Sequence, residues 1–189
     1  MSRMTEVSSL TGRLLVATPA LADPNFDRAV VLLLDHDDEG SLGVVLNRPT
    51  PVTVGDVLAA WAGLAGEPGV VFQGGPVSLD AALGIAVIPG DEGPLGWRRV
   101  HGAIGLVDLE APPELVGPAL GALRIFAGYA GWGPGQLETE LRDGAWYVVE
   151  SEPGDVSHPR PDTLWRQVLR RQRGELAMVA TYPDDPSLN

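Results

Sequence analysis

Cysteine is absent from this chain of 189 residues, and so is lysine: the thirteen basic residues are all arginine. Without cysteine there can be no disulfide, thiolate nucleophile, iron–sulfur cluster or cysteine-based zinc site. Without lysine, Schiff-base chemistry, a Ser–Lys dyad and a Walker-type phosphate lysine are excluded as well. Positive charge is scarce overall. Thirteen basic against 25 acidic residues leave a formal net charge of −12, which opposes approach to the phosphate backbone that supplies most non-specific DNA affinity. Long apolar runs are also missing, and nothing approaches the ~20 residues of a membrane-spanning helix.

What remains is the composition of an ordinary globular domain, 44% hydrophobic and 20% charged. At this length one core is sufficient, and folding buries roughly 70% of the unfolded surface. Glycine and proline are scattered as punctuation, with no repeat or linker. The expected unit is a single domain over residues 10–183, with 1–9 and 184–189 as loose, polar ends. One segment imitates an export signal: Leu14-Leu15-Val16-Ala17, then Ala20-Leu21-Ala22. Thr18-Pro19 cuts its apolar run to four residues, short of the ~7 of a signal core, so it reads as a first strand of a cytoplasmic protein.

Apolar, β-branched runs at 14–17, 29–34, 44–46, 70–72, 83–88, 104–107, 124–127 and 146–149 are strand candidates. The polar link 36–41 favours an antiparallel hairpin. Thr53 and Asp56 predict a capping box opening a helix over 54–64, with a short, broken helix at 114–120. A helix at 136–142 would follow the glycine-rich stretch 128–135. A last helix has Asp162 as N-cap, an apolar stripe of Leu164, Trp165, Val168 and Leu169, and Gly174 as its stop. Strands and helices do not alternate strictly, so α+β is expected rather than doubly wound α/β.

Four segments could carry function. Asp35-His36-Asp37-Asp38-Glu39-Gly40 imitates an EF-hand loop, but its twelfth position is Leu46 where a bidentate glutamate is required. His36 among carboxylates keeps the residue types of a general acid/base or a looser divalent-cation site, beside the plainer reading of a charged hairpin turn. Gly74-Gly75-Pro76 is either a sharp turn with close backbone approach or an anion cradle. Residues 128–138 (GYAGWGPGQLE) concentrate four glycines with Tyr129 and Trp132, as ligand or partner sites do, or as two buried aromatics under a turn would. Glu138 and Glu140 there suit a helix N-terminus and would repel a phosphate. Finally, residues 160–173 hold five arginines, of which Arg166, Arg170 and Arg173 share one helix face: a solvated face, or a patch for an acidic partner. Motifs for dinucleotides, zinc peptidases and serine hydrolases are absent, since Gly40-Ser41-Leu42-Gly43 is one residue short of the nucleophile elbow. His101 and His158 have no spaced partner ligands.

Taken together, residues 11–28 (TGRLLVATPALADPNFDR), 36–49 (HDDEGSLGVVLNRP), 73–77 (QGGPV) and 124–146 (RIFAGYAGWGPGQLETELRDGAW) resemble the YqgE/AlgH family of bacterial proteins. The resemblance implies a single α+β domain of coiled, partly bifurcated, largely antiparallel or mixed sheet with peripheral helices, a cytosolic location and a transcriptional-regulator label. Motif positions that could share a site are His36, Asn47, Arg48, Gly74, Gly75, Pro76, Tyr129, Trp132 and Gln136. Where the family commonly has a Leu-His pair after GGPV, this chain has Ile85 and Ala86, which weakens any two-histidine metal site. The leading expectation is a binding or regulatory module for a protein partner or small metabolite, with no cofactor, no membrane segment and no direct nucleic-acid contact. The alternative is a hydrolase-like or metal-assisted enzyme using His36 and nearby carboxylates, which requires His36 to approach the 128–136 segment. Oligomeric state is left open.

Overall fold

A computed structural model describes residues 10–21 and 23–183; the loose ends expected at 1–9 and 184–189 lie outside the described residues. Ten strands form among those described: β1 (Leu14–Ala17), β2 (Val30–Asp37), β3 (Gly40–Val45), β4 (Pro49–Thr53), β5 (Val70–Gln73), β6 (Val77–Val87), β7 (Trp97–His101), β8 (Ile104–Val107), β9 (Ala122–Trp132) and β10 (Trp146–Val149). They build one curled, half-barrel sheet in the order β10-β1-β2-β3-β9-β6-β8-β7, with β5 parallel to β9 and β4 outside β5. The protein is a single α+β domain with short peripheral helices.

Each expected apolar run overlaps a strand, with Ala29, Leu46 and Ile88 just outside theirs, and β1 and β10 have the expected limits. β4 and β7 escaped sequence reading because most of their side chains are exposed, so neither alternation nor an apolar run marks them. The 36–41 link is a hairpin, tighter than its polarity suggests: β2 and β3 continue through it to the pair Asp37–Gly40.

Residues 30–34 are buried on both faces of the sheet. Val30, Leu32 and Leu34 enter a main core with Leu14, Val16, Phe72 and Phe126, whereas Val31 and Leu33 enter a second core with Leu15, Trp132 and Trp146. The main core is closed by the helix Leu164–Arg170, whose Leu164, Trp165, Val168 and Leu169 are all buried as the stripe predicts. Each such side chain is worth roughly 1.5–3 kcal/mol of apolar transfer. A third core gathers Val54, Trp61, Val71, Ile88 and Ile125 under short helical turns.

Helix limits differ from expectation for local reasons. Asp162 is not the N-cap: it lies in a 3-10 turn, Pro161–Thr163, that leads into the helix. Gly174 starts the next helix, Glu175–Val179, instead of stopping the previous one. The Leu164–Arg170 helix stops at Arg171, whose guanidinium holds Asp155 through bonds of 2.6 and 2.7 Å. The helix expected over 54–64 covers only Val54–Val57, without a side-chain cap bond, before a 3-10 turn at Ala59–Trp61. The break turns Trp61 inward, where its indole N–H donates to the Leu109 carbonyl at 3.1 Å. The stretch 114–120 divides into two 3-10 turns around buried Val116.

β9 is the branch point of the sheet. One edge pairs with β6; the other pairs first with β5 (Phe72–Phe126, Gln73–Ala127) and then with β3 (Gly43–Ala130, Ser41–Trp132). The glycine-rich stretch therefore is not all turn: residues 128–132 belong to the strand. At Gly128 φ is +74°, and the faces exchange there. Phe126 before it and Tyr129 after it both meet the main core, while Ala130 and Trp132 meet the second. A Cβ at Gly128 would lie 2.6 Å from the Gly75 carbonyl oxygen and 2.9 Å from that of Val77. Gly128→Ala should therefore lower the unfolding free energy by about 2–5 kcal/mol, combining left-handed strain with overpacking; urea denaturation checks this.

Candidate functional site

Gly74 and Gly75 carry the chain across the branch. The Gly74 N–H donates to the Ala127 carbonyl at 2.8 Å, and its own carbonyl accepts from Val45 N–H at 2.8 Å, tying both sides together. A Cβ on Gly75 would come within 2.2 Å of the Tyr129 backbone. Close backbone approach, one of the two readings of this motif, is thus what the turn requires.

Next to this crossing, Asn47 is buried and acts as a piece of strand. Its Oδ1 accepts from Val30 N–H at 3.0 Å and its Nδ2 donates to the Arg28 carbonyl at 2.9 Å. The pair anchors the segment around Arg28, which has φ of +57°. Arg48 then donates from Nη2 to the Asp27 carbonyl. Burial pushes the Arg48 pKa down, partly countered by the charge of Asp27. Between the 23–28 segment and the branch lies a pocket of about 150 Å³ lined by Asn25, Arg48, Gln73, Gly75 and Pro76 among others. It joins segments distant in sequence, and it offers a guanidinium and two amide side chains.

Trp132 does not line that pocket; it supports it. Trp132 is 6% exposed, stacks on Phe26 at 6.3 Å and meets Trp146 edge-on at 6.2 Å. Phe26 belongs to the 23–28 segment, so the aromatic cluster holds the pocket wall from behind. The Trp132 and Trp146 indole N–H groups both donate to Glu140 Oε1, at 3.1 and 3.0 Å. Gln136 completes the arrangement, donating from Nε2 to Glu140 Oε2 at 3.0 Å while its Oε1 accepts from Gly133 N–H. Tyr129 is half-buried against the main core.

His36 does come close to the segment after β9. Buried to 3% exposure, its Nδ1 lies 2.5 Å from Ser41 Oγ and its Nε2 3.1 Å from Glu138 Oε1. This Ser–His–Glu chain fastens the β2–β3 hairpin to the helix Gln136–Arg142. It borders a depression of about 250 Å³ lined by Asp35, Asp37, Glu39, Ser41 and Trp132. Those carboxylates would oppose the oxyanion of an acyl-transfer intermediate. Among the described residues no group of three or more histidine or acidic side chains is placed to hold a metal ion. Ile85 and Ala86 are core residues.

Asn25, Gln73, Ser41 and Glu138 were not singled out from sequence as site residues. Asn25 and Gln73 sit inside quoted motifs, but neither residue type signals a ligand by itself. Within the arginine run Arg171 holds Asp155 and Arg166 donates to the Ala180 carbonyl at 2.5 Å, while Arg170 and Arg173 of the expected helix face are exposed. Among the described residues, no helix is long and apolar enough to cross a membrane.

Fold and site define a single-domain protein built on a branched half-barrel sheet, with a small polar pocket at the branch. Residues 14–177 match the family model described as AlgH-like, and the chain belongs to that family. It is 84% identical to a UPF0301 protein of Streptomyces coelicolor over the whole of both chains, and 53% identical to one from Thermobifida fusca over 96% of each. The crystal structure of protein DIP2367 from Corynebacterium diphtheriae is similar with a TM-score of 0.87 at 31% identity, covering 92% of each chain. The solution structure of the AlgH protein from Pseudomonas aeruginosa gives 0.66 at 26%, covering 93% of this chain and 95% of that one.

Glu140 is the acceptor on which the aromatic cluster depends, and an amide can supply only one of its two oxygens. Glu140→Gln should cost about 1–3 kcal/mol and red-shift the tryptophan emission as Phe26 and Trp132 loosen. Chemical denaturation followed by fluorescence checks both.

Proposed function

We propose that this protein is a non-catalytic recognition module for a small polar metabolite, bound at the pocket of Arg48, Asn25 and Gln73. The observation that carries the reading is convergence. Arg48, Gly75 and Pro76 line one cavity, while Asn47, Trp132 and Gln136 support its wall through Arg28, Phe26 and Glu140. A volume of about 150 Å³ corresponds to roughly five water molecules of ~30 Å³ each, the size of a small carboxylate or amide. One guanidinium favours a single negative charge, and the chain's −12 disfavours polyphosphates and nucleic acid. Any regulatory role of this protein would then pass through ligand occupancy and a partner, not through DNA contact.

A second reading, a hydrolase-like enzyme, draws on the Ser41–His36–Glu138 contacts. Labelling of Ser41 by a fluorophosphonate probe, lost in His36→Ala, would support it; the expected result is no labelling, because Ser41 is buried and faces carboxylates.

A thermal-shift screen of small mono- and dicarboxylates, amides and inorganic phosphate tests the first reading. At 100 times its dissociation constant a ligand stabilises the fold by about 2.7 kcal/mol, a shift of roughly 5–10 °C at this size. Arg48→Gln should remain folded and lose the shift. A shift that survives Arg48→Gln would place binding elsewhere and end the proposal.

A further inference from the structure

β6 and β4 each loop away from the sheet on either side of the same floor. In β6, Val77 is opposite Tyr129 and Ala82 opposite Ala127, so residues 78–81 face only Gly128. In β4, Pro49 is opposite Phe72 and Thr53 opposite Val70, so residues 50–52 face only Val71. The two bulges raise lips around a groove of about 510 Å³, floored by Val71, Ile125 and Ala127. Val52 (44% exposed), Val57 (56%) and Leu79 (54%) stand on its walls. Large apolar side chains are usually exposed singly, whereas here they gather around one groove. Ser78, at the start of the β6 bulge, holds φ at +50°, a left-handed conformation rare for a residue with a Cβ and of the kind that collects at ligand clamps.

We infer that this groove binds an extended, apolar segment of a partner protein that carries an arginine or lysine beside its anchoring side chain. Charge selects this occupant. Asp80 is the ionisable residue lining the groove, and Asp56 lies on the short helix that contributes Val57. A second copy of the chain would bring a second Asp80 and a further −12, which opposes self-association. The bulged strand selects an extended shape. Residues 78–81 lack register partners on β9, which leaves their backbone for strand-like pairing while the groove takes alternate side chains. The site is separate from the Arg48 pocket and does not rest on it.

Selection of a random peptide library displayed on phage against the full chain tests the assignment, with affinities of the enriched peptides read by fluorescence anisotropy. Enriched peptides should alternate apolar residues and include arginine or lysine. Leu79→Asp should weaken binding by at least about tenfold, as loss of a central anchor does, and Asp80→Asn should weaken it less and flatten its salt dependence. Both positions are exposed, so thermal unfolding of these variants should match the wild type. Arg48→Gln should bind the peptides normally. The inference is overturned if no peptide is enriched, if enriched peptides bind Leu79→Asp as tightly as the wild type, or if sedimentation shows a wild-type dimer that Leu79→Asp dissolves.

Discussion

The contact of Gly74 and Gly75 with the backbone of residues 128–130 is the constraint around which this molecule is arranged. Two backbone segments, 74–77 and 128–130, meet there with no room for a Cβ, and Val45 ties β3 to them through the Gly74 carbonyl. Because they meet, β9 can change neighbours from β5 to β3 along one edge, and its side chains can change faces at Gly128. Without the exchange Trp132 would face the main core and the second core would lose one of its two indoles. The same crossing sets Gln73 beside Arg48 through the Gln73 N–H bond to the Arg48 carbonyl, at 2.8 Å, and so locates the polar pocket. Glycine costs conformational entropy; here it permits an approach that no other residue allows.

Around that crossing, polar groups are placed in low-dielectric surroundings only where they are satisfied. Glu140 accepts three donors, and Asn47 fills one donor and one acceptor of the strand start. Asp155 closes a capping box with Glu152 and pairs with Arg171. The hydrogen bond to Asp155 raises the Arg171 pKa. Arg124 is the exception. It is fully buried in β9, donates from Nη2 to the Glu67 and His158 carbonyls at 2.8 and 2.9 Å, and lies 4.3 Å from the Phe72 ring centre. Its Nε and Nη1 have no hydrogen-bond partner among the described residues. Burial brings its pKa down to about 10, so it stays charged at neutral pH, held by carbonyl dipoles and an aromatic face in place of a carboxylate.

These placements divide the motif residues into those that build and those that are presented. Asn47, Gly74, Trp132 and Gln136 are occupied by backbone or core contacts, Gly75 both makes the crossing and lines the pocket, and Arg48 and Pro76, with Asn25 and Gln73, meet the pocket. A catalytic reading of His36 meets the same division. Its two ring nitrogens join a hairpin to a helix, which a packing role explains without turnover.

Much of the fold was open to reading from residue order. Two-sided burial makes continuous apolar runs, so β1, β2 and β10 announced themselves, and the stripe of Leu164, Trp165, Val168 and Leu169 announced a helix. Composition alone ruled out thiol and lysine chemistry, and the quoted motifs carried the family. Residue order could not reveal β4 and β7, whose exposed side chains leave no period, nor that residues 128–132 continue a strand, since glycine suits a turn and a close crossing equally. It could not bring Glu138 to the His36–Ser41 pair of the hairpin, which depends on β3 pairing with β9, or join Asn25 to Arg48 and Gln73, which depends on the Asn47 bond to Arg28 and the Gln73 bond to Arg48. Nor could it show a groove made by two bulges, which are properties of register between strands distant in sequence. Local pattern determined the buried strands, the last apolar helix face and the core, where burial leaves a period in the sequence; only long-range pairing decided which side chains share a cavity and which are left facing solvent.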